Sequence, residues 1–200
     1  MTRCEDIASH PDFRCLRGLG GITVDLRYAG ANNFTGRALY RDIDCAWLRR
    51  EAAAGLETAA AWLAGSRPGY RIVVLDALRP QRVQEQLWRE AEEAHRGVYF
   101  ANPAVGSIHS YGMAVDVTLL DPQGCECDMG TAFDAMVPAS HPDLHAEHLA
   151  LGVLRAEHLV ERGWLHAAMT RGGFRGIGSE WWHFDHGERD AVRRNFPRVY

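Results

Sequence analysis

The 200-residue chain has few of the features that mark secreted, membrane-bound or nucleic-acid-binding proteins. Its five cysteines are an odd number at irregular spacings, so a disulfide framework is not expected. No stretch approaches the roughly 18 apolar residues of a membrane span, and the first residues contain no apolar core of signal-peptide type. The net charge of −4 leaves no basic excess for nucleic acid. We therefore expect a cytoplasmic protein that binds neither membrane nor nucleic acid.

The sequence also has no internal repeat, no low-complexity tract and no linker rich in proline, glycine and serine. With 46% hydrophobic and 24% charged residues, its composition is ordinary for a globular protein of one core. Residues 1–200 are therefore expected to form a single domain. The sequence gives no indication of the oligomeric state.

Histidine, in contrast, is abundant, and ten histidines favour metal chemistry without locating it. His141, His145 and His148 have helical spacing but lack the His-Glu-x-x-His order, so a solvated helix face is favoured over a metal site. Cys125 and Cys127 form a Cys-x-Cys pair that no second thiol pair follows, so a turn with two reduced thiols is favoured over a zinc knuckle.

Strand-like and helical segments mix without a regular βαβ rhythm. Strand-like runs lie at 20–30, 70–77 and 113–120. Helical spacing extends over about 45–64, onward from Pro80, and over 144–169 with a break near Gly163. This mixture predicts an α+β fold with a mainly antiparallel sheet flanked by helices. Arg79 lies at a strand-to-helix junction, where side chains often point into a cleft.

The segment SIHSYGMAVDVTLLD, residues 107–121, carries a carboxylate inside a strand-like run. In an extended chain, His109 and Asp116 would lie about 23 Å apart at roughly 3.3 Å per residue. Two ligands of one zinc lie within about 4 Å of each other, so the chain would have to bend, and Tyr111-Gly112 is suited to that. The spacing leaves two interpretations: a shared metal, or a loop-capping histidine and an aspartate that accepts backbone hydrogen bonds.

The segment SEWWHFDHG, residues 179–187, places Glu180 three residues before His183. The aromatic residues between them favour a strand, where residues three apart face opposite ways. Both side chains can serve one site only if Glu180 precedes the regular strand. A catalytic zinc has three protein ligands, an open position and a glutamate that accepts a proton from water. The alternative is an aromatic core strand with an unrelated histidine.

Together these two segments resemble the zinc D-alanyl-D-alanine dipeptidases, a family that includes the vancomycin-resistance type. The family patterns are Ser-x-His-x-x-Gly-x-Ala-x-Asp and, later, Glu-x-x-His. Three further stretches resemble the family in the same order: VDLRYAGANNFTG, LDALRPQR and MGTAFDAMVPASH. The similarity covers roughly residues 20–187. It implies the α+β fold shared with zinc DD-carboxypeptidases and the signalling domain of Hedgehog proteins.

The resemblance also implies a site, residue by residue. Glu180 matches the catalytic base, and Arg79 matches the arginine that stabilises the transition state. The ligands of one Zn²⁺ per chain match three residues: His109, Asp116 and His183. Positions in or near the substrate pocket match three more: Ser107, Asp76 and Asp134.

The implied activity is zinc-dependent hydrolysis of D-Ala-D-Ala to two D-alanine molecules, so the expected partner is a small dipeptide. Ala77-Leu78 replaces the Gly-Tyr of the vancomycin-resistance type, and Tyr111 replaces an arginine, which leaves the dipeptide preference open. One alternative is a zinc peptidoglycan DD-carboxypeptidase or endopeptidase. Another is a non-catalytic zinc-stabilised binding domain, which would need neither Glu180 nor Arg79.

Overall fold

A five-stranded sheet lies at the centre of the computed structural model, which describes residues 2–200. Its strands are β2 (Ile22–Val24), β4 (Arg71–Asp76), β5 (Ala114–Leu120), β6 (Phe174–Gly176) and β7 (His183–His186), in the order β2-β4-β5-β7-β6. Only the β2-β4 pair is parallel, and the other three pairs are antiparallel. The predicted α+β fold with a mainly antiparallel sheet is therefore confirmed.

Five helices surround this sheet: α1 (Arg50–Ser66), α2 (Gln81–Glu90), α3 (His145–Ala150), α4 (Ala156–Arg171) and α5 (Arg189–Asn195). Helix α1 packs against α4. Its inner face is made of alanine and leucine at helical spacing and joins the buried residues of β4 and β5 in one hydrophobic core. No helix within residues 2–200 is both long and apolar enough to cross a bilayer.

The first predicted helix begins later than the sequence pattern indicates. Residues Trp47–Arg49 form strand β3, which pairs with β1 (Phe13–Cys15) in a small second sheet. Helical apolar spacing begins before the backbone is helical, because Leu48 is buried as a strand residue. The predicted start near residue 45 is therefore wrong by five residues.

The predicted break near Gly163 is also wrong. Gly163 lies inside α4, where a Cβ atom would meet nothing within 4 Å, so an exposed glycine costs the helix only about 1 kcal/mol. The chain instead leaves the helix after α3, where Gly152 has a left-handed φ of 69°. The backbone N–H groups of Val153 and Leu154 both donate to the His148 carbonyl and close this turn.

The three histidines near α3 do not share a solvated face, contrary to expectation. His148 is buried. His145 Nε2 lies 2.8 Å from Arg162 Nη1, and His141 Nε2 lies 2.7 Å from the hydroxyl of Tyr99. Helical spacing in the sequence therefore conceals three separate environments.

Candidate active site and metal centre

Two histidines and one aspartate converge at the centre of the sheet. His109 Nε2 lies 3.1 Å from His183 Nδ1 and 3.3 Å from Asp116 Oδ1, and His183 Nδ1 lies 2.9 Å from the same Asp116 oxygen. All three side chains are buried. Within residues 2–200, no other group of three histidine, cysteine or acidic side chains has ligand atoms close enough to share one metal ion.

A tight bend brings His109 to Asp116, as the sequence predicts. His109 lies on a 3₁₀ turn, Ile108–Tyr111, and Gly112 ends that turn in the left-handed region with φ of 69°. A Cβ atom at Gly112 would lie 2.6 Å from the ring of Phe13, so both the backbone angle and the space require glycine. The chain then enters β5, where Asp116 is the third residue.

The hydrogen-bond partners of the two imidazoles determine which nitrogens face inward. His109 Nδ1 lies 2.8 Å from the Ala77 carbonyl, which only accepts, so Nδ1 carries the proton and Nε2 points its lone pair at the centre. His183 Nε2 lies 2.9 Å from Asp185 Oδ1 and donates to it, which leaves Nδ1 facing inward. Such partners are the usual support of metal-binding histidines.

Asp185 is suited to this supporting role because it is ionised. Burial disfavours its charge, but His183 and Arg189 outweigh that effect and lower the pKa of Asp185 to about 2. Arg189 Nε donates to the other Asp185 oxygen at 2.6 Å. The carboxylate is therefore fixed on both sides and holds the His183 ring in one orientation.

This donor set fits a divalent cation. Two imidazole lone pairs and one carboxylate oxygen lie within 3.3 Å of one another and repel unless a positive charge lies between them. In the metal-free chain a proton takes that role: burial opposes it, but Asp185 and Asp116 raise the pKa of His183 to about 10. A metal ion would displace this proton, as metal ligation by histidine requires.

Glu180 lies beside the centre, just before strand β7 begins. Its Oε2 atom is 4.0 Å from His183 Nδ1, and the residue is buried. Burial raises the pKa of Glu180 to about 8, the charges of Asp116 and Asp134 add to that, and His183 and Arg79 oppose it. A carboxyl group that gains and loses a proton near neutral pH is suited to acid–base catalysis.

Arg79 is held on the other side of the centre by three buried partners. Its Nη2 donates to Asp116 Oδ2 at 3.3 Å, its Nε to Asp76 Oδ2 at 2.8 Å and its Nη1 to Gln84 Oε1 at 3.1 Å. Asp76 has no exposed surface and also accepts a hydrogen bond from the Tyr40 hydroxyl. Asp76 therefore lies behind Arg79, whereas the resemblance places it in or near the substrate pocket.

A cavity of about 320 Å³ opens onto these residues. The loop Gly97–Ala101 and the segment Ile177–Glu180 both line it. Ser107 and Asp134 both line it, as does Tyr28. The volume is at the small end of the range for ligand sites, which suits a short substrate.

Asp134 is held in a strained backbone conformation at this cavity. Its φ is 59°. Among residues 2–200, every other residue with positive φ is a glycine. Its carboxylate accepts from the Tyr28 hydroxyl at 3.2 Å and from the Phe34 backbone N–H at 3.5 Å. Burial in the cavity, together with the charge of Asp116, raises the pKa of Asp134 to about 7.

Comparison with known proteins identifies the family. The model of the D-Ala-D-Ala dipeptidase family matches residues 14–200, nearly the whole chain. The chain belongs to the D-Ala-D-Ala dipeptidase family. The family predicted from the motifs is therefore confirmed, and with it the class of enzyme, a metallopeptidase.

Two relatives of this dipeptidase family member share its sequence over most of their length. It is 38% identical over 164 residues to the D-alanyl-D-alanine dipeptidase of Escherichia coli, which covers 82% of this chain and 78% of that protein. It is 27% identical to the D-alanyl-D-alanine dipeptidase of Synechocystis, over 67% of this chain and 66% of that protein. A solved structure of the LdcB LD-carboxypeptidase aligns with a TM-score of 0.47 and 15% identity, covering 92% of this chain and 72% of that one.

Sequence reasoning missed three side chains of this candidate site. Asp185 could have been found, because it follows His183 by two residues in a strand and so shares its face. Tyr28 donates a hydrogen bond to Asp134, and its ring centre lies 5.2 Å from the Arg79 guanidinium. Its spacing in the sequence relates it to no other residue of the site. Gln84 likewise has no signal in the sequence, since only the fold turns this first-turn residue of α2 back onto Arg79.

Proposed function

We propose that this chain hydrolyses D-Ala-D-Ala to two D-alanine molecules with one bound zinc. The observation that carries the proposal is the convergence of His109, Asp116 and His183 beside a buried glutamate, Glu180. Two imidazoles and one carboxylate would hold the ion, and three protein ligands are the number found in catalytic zinc sites. When bound there, zinc would supply Lewis acidity that polarises a peptide carbonyl and makes water more acidic.

Glu180 is the general base in this proposal. It takes a proton from the attacking water and later delivers it to the amine that leaves. Its pKa of about 8 in the metal-free chain puts both protonation states within reach near neutral pH. The position of Glu180 before β7, where the backbone is not yet regular, lets it reach the same side as His183.

Arg79 stabilises the negative charge that develops on the carbonyl oxygen. Asp76 and Gln84 fix its guanidinium, so no reorganisation is needed when the charge appears. The guanidinium is always protonated, and its planar set of donors suits an oxyanion. It also donates a hydrogen bond to Asp116, one of the three ligands proposed for the zinc.

Asp134 pairs with the ammonium group of the dipeptide. It is a carboxylate at the cavity, and no arginine forms an ion pair with it within residues 2–200, since the nearby Arg79 pairs with Asp76 and Asp116. Ser107 lines the same cavity and is the second residue proposed to contact substrate. A site built around a charge leaves its own carboxylate unpaired when the ligand lacks that charge. N-acetyl-D-Ala-D-Ala should therefore be cleaved at least about 10²-fold less efficiently than the free dipeptide.

The proposal is tested by incubating the purified protein with zinc and D-Ala-D-Ala and by measuring released D-alanine. L-Ala-L-Ala and N-acetyl-D-Ala-D-Ala serve as comparison substrates. Glu180→Gln should keep its zinc and lose about 10²–10⁴-fold in kcat, the usual contribution of a positioned base. Near-normal turnover in that variant would refute the role of Glu180, and equal kcat/KM for the free and acetylated dipeptides would favour a carboxypeptidase or endopeptidase.

A cytoplasmic location stays a prediction.

A further inference from the structure

Arg162, on helix α4, is a buried cation without a carboxylate partner among residues 2–200. It is 4% exposed, and burial lowers its pKa to about 10. A buried charge without a counter-ion is costly, and a neutral residue of similar shape would fill the space without that cost. The guanidinium is not adjacent to the metal ligands and has no part in the chemistry proposed above. Its hydrogen bonds are therefore the place to look for its role.

Nearly all donors of Arg162 are directed at one loop, residues 129–139. Nε donates to the Met129 carbonyl at 2.8 Å, and both Nη atoms donate to the Ala139 carbonyl at 3.0 Å. Nη2 also donates to Thr131 Oγ1 at 3.3 Å. The remaining contact is to His145, whose pKa is lowered to about 4 by burial and by Arg162, so its neutral ring accepts.

A single guanidinium therefore closes the base of the 129–139 loop. Met129 and Ala139 are ten residues apart in sequence, yet both carbonyls lie against the same side chain. No helix or strand runs through residues 130–137, so no ladder of backbone hydrogen bonds fixes their position. Asp134, with its strained backbone, lies midway between these two ends.

The same contacts connect the 129–139 loop to the segment that carries the proposed base. Trp181 Nε1 donates to Thr131 Oγ1 at 2.9 Å, and the Trp181 backbone N–H donates to the Ser140 carbonyl at 3.1 Å. The Arg162 guanidinium lies 5.7 Å from the centre of the Trp181 ring. Trp181 directly follows Glu180, so the position of Asp134 relative to Glu180 depends on this cluster.

We propose that Arg162 is a positioning residue that sets the distance between Asp134 and Glu180. That distance determines how far the substrate ammonium lies from the peptide bond that is cleaved. It therefore selects a substrate in which one residue separates the ammonium group from that bond. The inference rests on the proposed function, because it needs Asp134 as the ammonium partner. A five-donor planar group is suited to this task, since it can bind two carbonyls and a hydroxyl in one plane.

A purely structural role for Arg162 makes a different prediction. In that case, substitution would lower the free energy of unfolding, and the enzyme that remains folded would keep its substrate preference. A positioning role requires that folded, zinc-loaded enzyme lose preference for the free dipeptide. The metal ligands come from other elements, so zinc content should stay at the wild-type level in either case.

The test compares Arg162→Lys and Thr131→Val with wild type and with Asp134→Asn. Lysine keeps the charge but cannot bind both carbonyls in a fork, and valine removes the hydroxyl that Arg162 and Trp181 share. Arg171→Met is the matched control, because Arg171 is an exposed arginine near the end of the same helix. Zinc content and circular dichroism confirm that each variant is folded, and kcat and KM are measured for D-Ala-D-Ala and its N-acetyl derivative.

We expect KM for D-Ala-D-Ala to rise roughly 10-fold or more in Arg162→Lys, with a smaller change in kcat. The reason is that displacement of Asp134 weakens its contact with the substrate ammonium, and small misplacements of such groups have effects of this size. The ratio of kcat/KM for free and acetylated dipeptides should fall toward that of Asp134→Asn, and Thr131→Val should show a smaller change in the same direction. Arg171→Met should match wild type.

Failure of the inference differs from failure of the proposed function. If wild type does not cleave D-Ala-D-Ala, or if Asp134→Asn keeps the full preference for the free dipeptide, the proposed function or its ammonium site is wrong. The other case is that wild type and Asp134→Asn both behave as the proposed function requires. If folded Arg162→Lys and Thr131→Val then keep the wild-type KM and the wild-type preference for the free dipeptide, Arg162 has no positioning role. Thr131→Val supplies this test even where Arg162→Lys does not fold.

Discussion

His183 lies directly opposite Asp116 in the antiparallel pair of strands β7 and β5, and the two side chains are 2.9 Å apart at Nδ1 and Oδ1. Directly opposed residues project to the same face with Cβ atoms about 5 Å apart. Asp76 is paired with Asp116 in the same way on the neighbouring strand β4. A row of polar residues thus crosses three central strands, and backbone hydrogen bonds of the sheet fix two of the three proposed metal ligands. Sites on such rigid elements are held more closely than sites on loops.

The first prediction concerns the metal ligands. His109→Ala and His183→Ala should each abolish stoichiometric zinc, because two remaining ligands do not hold a tetrahedral ion tightly. Elemental analysis of the purified proteins measures this directly. His166→Ala is the control, since His166 is an exposed histidine on α4. Full zinc content in both ligand variants would show that the metal is bound elsewhere.

The second prediction separates support of a ligand from ligation itself. Asp185→Asn replaces the carboxylate that fixes the His183 ring by a neutral amide that can accept or donate, so the charge that favours the Nε2-protonated ring is lost. Loss of such a partner usually weakens metal binding about 10- to 100-fold without abolishing it. Competition with a chromophoric chelator measures the affinity. Asp190→Asn, at an exposed aspartate on α5, should bind zinc as wild type does, and equal affinity in all three proteins would contradict the role of Asp185.

The third prediction concerns Arg79 and the residue behind it. Arg79→Lys should lower kcat more than it raises KM, because the lost contact is made mainly in the transition state. Asp76→Asn should produce a smaller effect of the same kind, since it only loosens Arg79. The double variant should be little worse than Arg79→Lys alone, because residues in one network are not additive. Additive losses would mean that Asp76 acts independently, and a pure KM effect would make Arg79 an anchor for the substrate carboxylate.

The sequence contains enough to predict the bend at Gly112 and the need for Glu180 to precede its strand, because both depend on local geometry. It does not contain the pairing of Asp116 with His183, which are 67 residues apart and meet only through the register of the sheet. The resemblance to known motifs supplied that pairing. The same limit applies to Asp76, because the sequence does not show which way its side chain points. Arg79 lines the cavity, whereas the Asp76 side chain is turned toward Tyr40.

Helix boundaries show where local patterns are outweighed by the rest of the fold. Gly163 and Gly152 look alike in the sequence, yet one is inside a helix and the other terminates a turn. The difference is that Gly152 adopts a left-handed φ, which the chain needs in order to turn from α3 toward α4. The sequence pattern alone does not reveal which glycine has that conformation.

The last prediction concerns the stability of the metal-free protein, and it follows from Asp134. Its pKa is raised from 3.8 to about 7 in the folded chain. Between these two values, the folded state holds a proton that the unfolded state has released. The free energy of unfolding therefore falls as the pH rises from about 4 to about 7, and the loss is complete above that range. An asparagine at this position does not titrate, and it tolerates positive φ as well as aspartate does.

We therefore expect metal-free Asp134→Asn to gain stability relative to wild type as the pH rises from 4 to 7, with a constant advantage above pH 7. Urea unfolding at a series of pH values measures the difference between the two proteins. A difference that does not change with pH would mean that the Asp134 pKa is ordinary. The same variant should lose preference for the free dipeptide, because the amide has no charge to pair with the ammonium group. A carboxylate kept partly desolvated for a cationic substrate thus destabilises the empty site, which is the usual conflict between stability and activity in binding sites.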